Sequence, residues 1–165
     1  MNLRILVVLC IFISGLYASN FNAYKLTKQE VRMLKTIKQQ GKKHGVSYSL
    51  MAIAIKESSI GKYPINVDSK DYGLYQANIK TVISREKLKN TAWNRNKVAS
   101  KLITDFQYAT KNAIAELVYW KKVHNNDWRK VWGSYNGGWR YDSKRARKYS
   151  KEIASIIRKL KKVKV

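Results

Sequence analysis

Beyond residue 26 the apolar positions of this chain recur every three or four residues, the spacing of helices with one buried face. No stretch alternates apolar and polar residues long enough for a substantial strand. Thr27-Lys-Gln-Glu30 has the form of a capping box, in which a hydroxyl and a carboxylate three residues apart satisfy each other's backbone amides. It predicts a first helix whose Val31, Leu34 and Ile37, with Met33, face inward until Gly41 or Gly45 stops it. Ser47 or Ser49 can cap a second helix, Leu50 to Glu57, which is apolar nearly all round and so belongs at the centre of the molecule. Gly61 to Gly73, containing the only proline, Pro64, predicts an irregular stretch or a small hairpin. Short helices are expected over Ile79–Lys87 and over Asn94–Ile103, the latter with Val98 and Leu102 inward. A stronger one follows Asp105, carrying Phe106, Ala109, Ala113, Leu117 and Trp120 on one face. Asp127 can cap Trp128 to Ser134, Asn136-Gly-Gly138 breaks the chain, and Ser143 can cap a last helix bearing Tyr149, Ile153, Ile156, Ile157 and Leu160. Its basic end, Arg158 to Val165, is expected to fray. The pattern amounts to a mostly α, single domain of packed helices with one short irregular or hairpin segment.

The first eighteen residues depart from this pattern. Arg4 supplies a positive charge, Ile5 to Ile13 an apolar stretch too short to span a bilayer comfortably, and Ser14-Gly-Leu-Tyr-Ala18 a small-residue exit. Residues 1–18 therefore read as an export signal, cleaved after Ala18 or kept as a signal anchor, and residues 19–165 as the domain with its basic tail. Cys10 lies within the signal without the small preceding residue that lipid attachment favours, so the mature chain has no cysteine and neither disulfide nor thiolate metal site is expected. That suits a bacterial envelope protein held together by its core.

Charge narrows the partners. With 34 Lys and Arg against 10 Asp and Glu the net charge is +24, and loss of residues 1–18, which contain only Arg4, leaves about +23. Such a field favours polyanions. Nucleic acid would be the first expectation inside a cell, but export points to an anionic cell-wall polymer or lipid surface instead. His44 and His124 lie far apart without spaced carboxylate partners, and no serine elbow, P-loop or dinucleotide fingerprint is present, so neither metal nor cofactor is expected.

The candidate chemistry centres on Glu57. A carboxyl at the end of an apolar helix is disfavoured as an anion both by burial and by the partial negative charge of the helix C-terminus. Both raise its pKa, as a general acid working near neutrality requires. Two further blocks supply what a glycan-cleaving cleft needs. Asp71-Tyr-Gly-Leu-Tyr-Gln76 offers a tight backbone approach at Gly73 and a sugar-binding amide at Gln76, and Tyr135-Asn136-Gly137-Gly138 offers a phenol and an amide at a helix end. One or two of the five tryptophans can line the same groove.

In order and setting these blocks resemble the transglycosylase SLT domain of the soluble lytic transglycosylases, in the lysozyme-like superfamily. That family's pattern is a helix ending in Glu-Ser, then Gly-Leu-Met-Gln, then Ala-Tyr-Asn-Ala-Gly, then a tyrosine on the last helix. The matches here are Glu57-Ser58, Gly73-Leu74-Tyr75-Gln76, Ser134-Tyr135-Asn136-Gly137-Gly138 and Tyr149, with coverage from about residue 27 to residue 157. Tyr75 stands where the family has Met or Phe, a change expected in the floor of the groove.

The resemblance implies a lysozyme-like fold and cleavage of peptidoglycan between N-acetylmuramic acid and N-acetylglucosamine, with Glu57 as acid and then base and a 1,6-anhydro product. It also implies that Tyr135 orients Glu57 and that Gln76, Asn78 and Asn136 grip sugar substituents, with Ser58, Ser59, Gly73 and Tyr75 also near substrate and Tyr149 a brace. Asp71-Tyr-Gly-Leu-Tyr-Gln-Ala-Asn78 is similar as well to a stretch of animal-type lysozymes, in which the aspartate is the second catalytic carboxylate. Asp71 is therefore either such a carboxylate or a residue that shapes the turn by accepting backbone amides. A retaining pair requires about 5–5.5 Å between carboxyls and an inverting pair about 6.5–9.5 Å. A hydrolysing muramidase is the alternative chemistry, and a non-catalytic wall-binding part of a secretion or conjugation machine the alternative class. Expected surroundings are the periplasm or envelope of a bacterium, or a phage-encoded lysis setting, with peptidoglycan strands as partner and a monomeric state.

Overall fold

The computed structural model describes residues 21–163 and 165; the expected export segment, with Cys10, lies outside them. Seven α-helices and one small sheet follow in order. Helix α1 (Lys28–Gly41) begins at the expected capping box: Thr27 Oγ1 accepts from the Glu30 amide at 3.2 Å, and Thr27 N–H donates to Glu30 Oε2 at 2.8 Å. It ends at Gly41, and after a 3-10 turn over Lys42–His44 the chain reverses at Gly45 in the left-handed region. Gly41 is required there, because a Cβ would lie 2.8 Å from the Ser47 backbone.

Helix α2 (Ser47–Ser58) is the central one, with Leu50 through Ile55 wholly buried. It packs against α1 on one side and against the last helix on the other. Its start differs from expectation. Neither Ser47 nor Ser49 caps it; Val46 holds the cap position without a side-chain bond. Ser47 Oγ instead donates to the Lys38 carbonyl at 2.7 Å, and Ser49 Oγ accepts from the Trp132 indole at 2.9 Å. Both hydroxyls are drawn to neighbouring helices because the helix start is itself packed inside.

The segment expected to be irregular or a small hairpin takes the hairpin alternative and extends it into a three-stranded antiparallel sheet, β1 (Ile65–Asn66), β2 (Asp71–Tyr72) and β3 (Ala77–Asn78), which runs beyond Gly73. Asp71 pairs with Asn66 on one side and Asn78 on the other. Helices α3 (Ile79–Arg85), α4 (Ala92–Thr104) and α5 (Phe106–Val123) follow, the last capped by Asp105. Helix α6 (Trp128–Gly137) is capped by Asp127 and continues past Ser134, so Tyr135 and Asn136 lie on its final turn. Gly138, at φ 58°, ends it.

Helix α7 (Lys144–Lys161) starts at Ser143, whose Oγ accepts from the Ala146 amide. Its end does not fray where expected. Ile157 and Leu160 are buried, and Val163 and Val165 pack partly against the core, which holds the basic turn in place. Tyr149, Ile153 and Ile156 complete the buried face, as the periodicity requires. None of the described helices is long and apolar enough to cross a membrane.

Candidate active site

Between the sheet, the end of α2 and the facing sides of α5, α6 and α7 lies a cleft of about 1180 Å³. Glu57, Asp71, Gln76, Asn78, Tyr135, Asn136 and Tyr149 line it. Residues drawn from α2, the sheet, α6 and α7 are thus brought together. Ser58, Ser59, Gly73 and Tyr75 are not in its wall but behind it.

Glu57 occupies the penultimate position of α2 and keeps a partial opening to the cleft. Burial against the apolar core pushes its carboxyl up to about 7, with the Asp71 charge adding to the shift, while the Tyr149 phenol, Lys56 and Arg145 oppose it. The nearest cation in sequence does not neutralise it, because Lys56 Nζ is paired with Glu152 Oε2 on α7 at 2.9 Å. Glu57 therefore has no ion pair of its own among the described residues.

The two phenols divide differently from expectation. Tyr135 Oη donates to the Tyr75 carbonyl at 3.0 Å, so it braces the loop after β2 and not Glu57. Tyr149 Oη is buried and meets no partner at hydrogen-bond geometry, yet it lies near enough to Glu57 to favour the ionised carboxylate. Burial first, and the Glu57 charge second, hold both phenols well above the ordinary tyrosine range, so both stay neutral. The residue beside the acid is Tyr149.

The polar groups around them are partly committed. Asp71 Oδ1 accepts from Asn78 Nδ2 at 2.8 Å, a cross-strand bond between paired residues and not the backbone-amide turn considered from sequence. Asn78 Oδ1 meanwhile caps α3 by accepting from the Lys80 amide. Gln76 Nε2 donates to the Gly73 carbonyl at 3.0 Å, leaving Oε1 facing no described donor. Asn136 Oδ1 is buried without a partner.

The four residues behind the wall hold it up. Ser58 Oγ donates to the Leu74 carbonyl at 2.7 Å and accepts from the Gly61 amide at 2.8 Å, tying α2 to the chain before β1 and to the turn between β2 and β3. Ser59 is fully buried at φ 52°. Gly73, at φ 82°, packs so closely on α4 that a Cβ would overlap the Leu102 carbonyl. Its tight approach is to protein. Tyr75 is buried, its hydroxyl 3.1 Å from Thr110 Oγ1, so it belongs to the core and not to the groove floor.

The sequence reading missed the opposite wall. On α5, Glu116 bonds both Arg85 and the Trp120 indole, the latter at 2.6 Å, and Arg85 also donates to Asn112 Oδ1 at 3.0 Å. Asn112, Glu116 and Trp120 are spaced by four, which places them on one helix face, but Trp120 reads as plain core in that stripe. Two of the five tryptophans, Trp120 and Trp139, line the cleft with ring centroids 5.1 Å apart, and Trp139 is 68% exposed. Glu57, Asp68, Asp71, Glu116 and Glu152, five of the ten carboxylates in the chain, lie in this one cleft.

The arrangement can donate and retrieve one proton at Glu57, stack a flat ring on exposed indole, and hydrogen-bond polar substituents through Gln76 and Asn136. Comparison with curated proteins and with solved structures yields no match. A family model, the transglycosylase SLT domain, matches residues 35–157. That span contains the whole cleft, and the domain is a mostly α, lysozyme-like one acting on peptidoglycan. The chain belongs to the transglycosylase SLT domain family.

Proposed function

We propose that the protein is an exported lytic transglycosylase in which Glu57 cleaves the bond between N-acetylmuramic acid and N-acetylglucosamine without consuming water. The observation that carries this reading is the environment of Glu57: dry on the core side, open to the cleft, and without a pairing cation. Protonated Glu57 delivers its hydrogen to the bridging oxygen as the C1–O bond breaks. The substrate's own N-acetyl oxygen stabilises the developing charge at the anomeric carbon, which removes the need for a carboxylate nucleophile. Ionised Glu57 then takes the proton of the muramoyl C6 hydroxyl as that oxygen closes on C1, leaving a 1,6-anhydro end and a restored acid.

Tyr149 is the positioning residue in this scheme: its phenol, with no other partner, steadies Glu57 while the carboxylate is ionised. Asn136 lines the cleft, so its amide is at hand for a sugar hydroxyl or acetamido group. Gln76 Oε1 serves similarly, and Trp139 offers a stacking face. Residues 1–18 direct the chain to the envelope, where the wall is its partner and it acts as a monomer.

The presence of Asp71 in the same cleft favours a second chemistry, hydrolysis on the same scaffold. Digestion of purified sacculi followed by mass spectrometry separates the two. Anhydro-muramoyl ends are expected from the wild type and a loss of at least about a thousandfold in their rate from Glu57→Gln. Reducing ends alone would reject the transglycosylase reading, and full activity of Glu57→Gln would reject Glu57.

A further inference from the structure

A second cavity, of about 810 Å³, shares no lining residue with the cleft. It is bounded by α1, the start of α2, the start of α6 and the end of α7. Lys35, Lys38, Lys42 and Lys161 line it together with the aromatic rings of Tyr48, Trp128 and Trp132, and no Asp or Glu does. Asp127, next to Trp128 in sequence, is occupied by the backbone amides of α6 and by Lys130.

The lysines of this groove face no Asp or Glu side chain among the lining residues. Lys38 Nζ and Lys161 Nζ, from helices at opposite ends of the chain, each stand 5.5 Å from the centroid of the same Tyr48 ring. Lys38 Nζ also donates to an oxygen of Val165, which lines the same groove, at 2.6 Å, so an oxygen acceptor fits at that ammonium. Trp128 and Trp132 lie 5.7 Å apart and tilted by 32°; the Trp132 N–H is spent on Ser49, and Lys121 Nζ stands 5.5 Å from the Trp128 centroid, adding a further cation beside the indoles. Like charges converging over aromatic rings suit a ligand that brings anionic groups at intervals along flat, partly apolar rings.

We propose that this groove is a second binding site, for a carboxylate-bearing glycan strand, whose sugar faces stack on the indoles and whose carboxylates meet the lysines. The choice of a glycan over other polyanions rests on the wall-polymer reading of the cleft: one strand or its neighbour would then be held at two places, which turns the second contact into an intramolecular one. Retention on the polymer would not depend on the cleft being occupied.

Co-sedimentation with purified sacculi, carried out on the Glu57→Gln protein so that the polymer is not consumed, tests this. Replacing Lys35, Lys42 and Lys161 together by Gln, all three exposed, is expected to weaken binding on the order of tenfold. Replacing the equally exposed Lys89, Lys97 and Lys111 by Gln, with the same loss of net charge, is expected to change it by less than about twofold. Equal losses from the two triples, or none from the first, would overturn the site. A carboxylated polysaccharide should displace the bound protein; displacement by duplex DNA at equal charge concentration, matched and likewise abolished by the groove triple, would overturn the glycan assignment. Anhydro-product formation by the otherwise wild-type chain on short soluble glycans is scored separately. Its failure would remove the catalytic reading while leaving groove binding to stand or fall by itself.

Discussion

A carboxyl with an ordinary pKa of 4.5 that is raised to about 7 keeps about half its population protonated at neutral pH, and does so in the folded chain alone. Two consequences have opposite signs. For catalysis, kcat/KM should hold on the acid side and fall as pH rises through about 7, where the proton donor is lost. For stability, a raised carboxyl pKa means that the unfolded chain ionises first. Stability contributed by the protonated form is full below about 4.5 and declines until about 7. Glu57→Gln removes that penalty, so thermal unfolding should find it more stable than wild type at pH 8, by up to about 3 kcal/mol, and no more stable at pH 4. Tyr149→Phe removes the phenol that favours the anion, so the alkaline limb of the rate profile should shift upward; an unmoved limb would deny Tyr149 its positioning role. At this scale the sequence was informative about Glu57, since Leu50 to Ile55 already declared dry surroundings. It was uninformative about Ser58, Ser59 and Tyr75. Successive helix positions turn by about 100°, so Ser58 points away from its neighbour's cleft toward Leu74, and nothing local says which of two hydroxyls will be wanted by distant carbonyls.

Helices were legible wherever a cap and a stripe agreed. Thr27, Asp127 and Ser143 cap as expected, and Asp105 caps the helix expected to follow it, because each side chain needs only the amides two or three residues ahead. Asn78 and Thr91 cap α3 and α4 by the same local chemistry. Ser47 and Ser49 failed because tertiary partners, Lys38 and Trp132, outbid the local amides. A hairpin was among the expectations from Gly61 to Gly73, but its extent and the third strand were hidden, because two-residue strands carry no alternation to detect. Its position depends on contacts made from outside, chiefly the fit of Gly73 on the Leu102 carbonyl. Gly73→Ala combines an unfavourable positive φ with a backbone overlap and should cost at least about 2 kcal/mol in urea unfolding. Because β2 carries Asp71 and β3 carries Asn78, loss of sacculus cleavage is expected to exceed what the unfolded fraction alone explains.

Over the whole molecule the excess of cations makes attachment to an anionic wall an ionic-strength-dependent property. Raising salt from about 0.01 to 1 M shortens the screening length from about 30 to 3 Å, so wall binding should weaken steeply while cleavage of short soluble glycans changes little. Net charge alone foretold that much. It could not foretell where the few acids would gather. Half of them line the cleft, and Lys56 and Arg85 there are tied to Glu152 and Glu116. The cleft is consequently a locally balanced site on a strongly basic body, its five acids facing Lys56, Lys80, Arg85, Arg145 and Lys148. On the proposed chemistry, a severed strand end would meet there no net electrostatic grip, whereas the basic outer surface would keep the protein tethered. Departure of product and departure of enzyme would then be separate events, and one docking would allow many cuts.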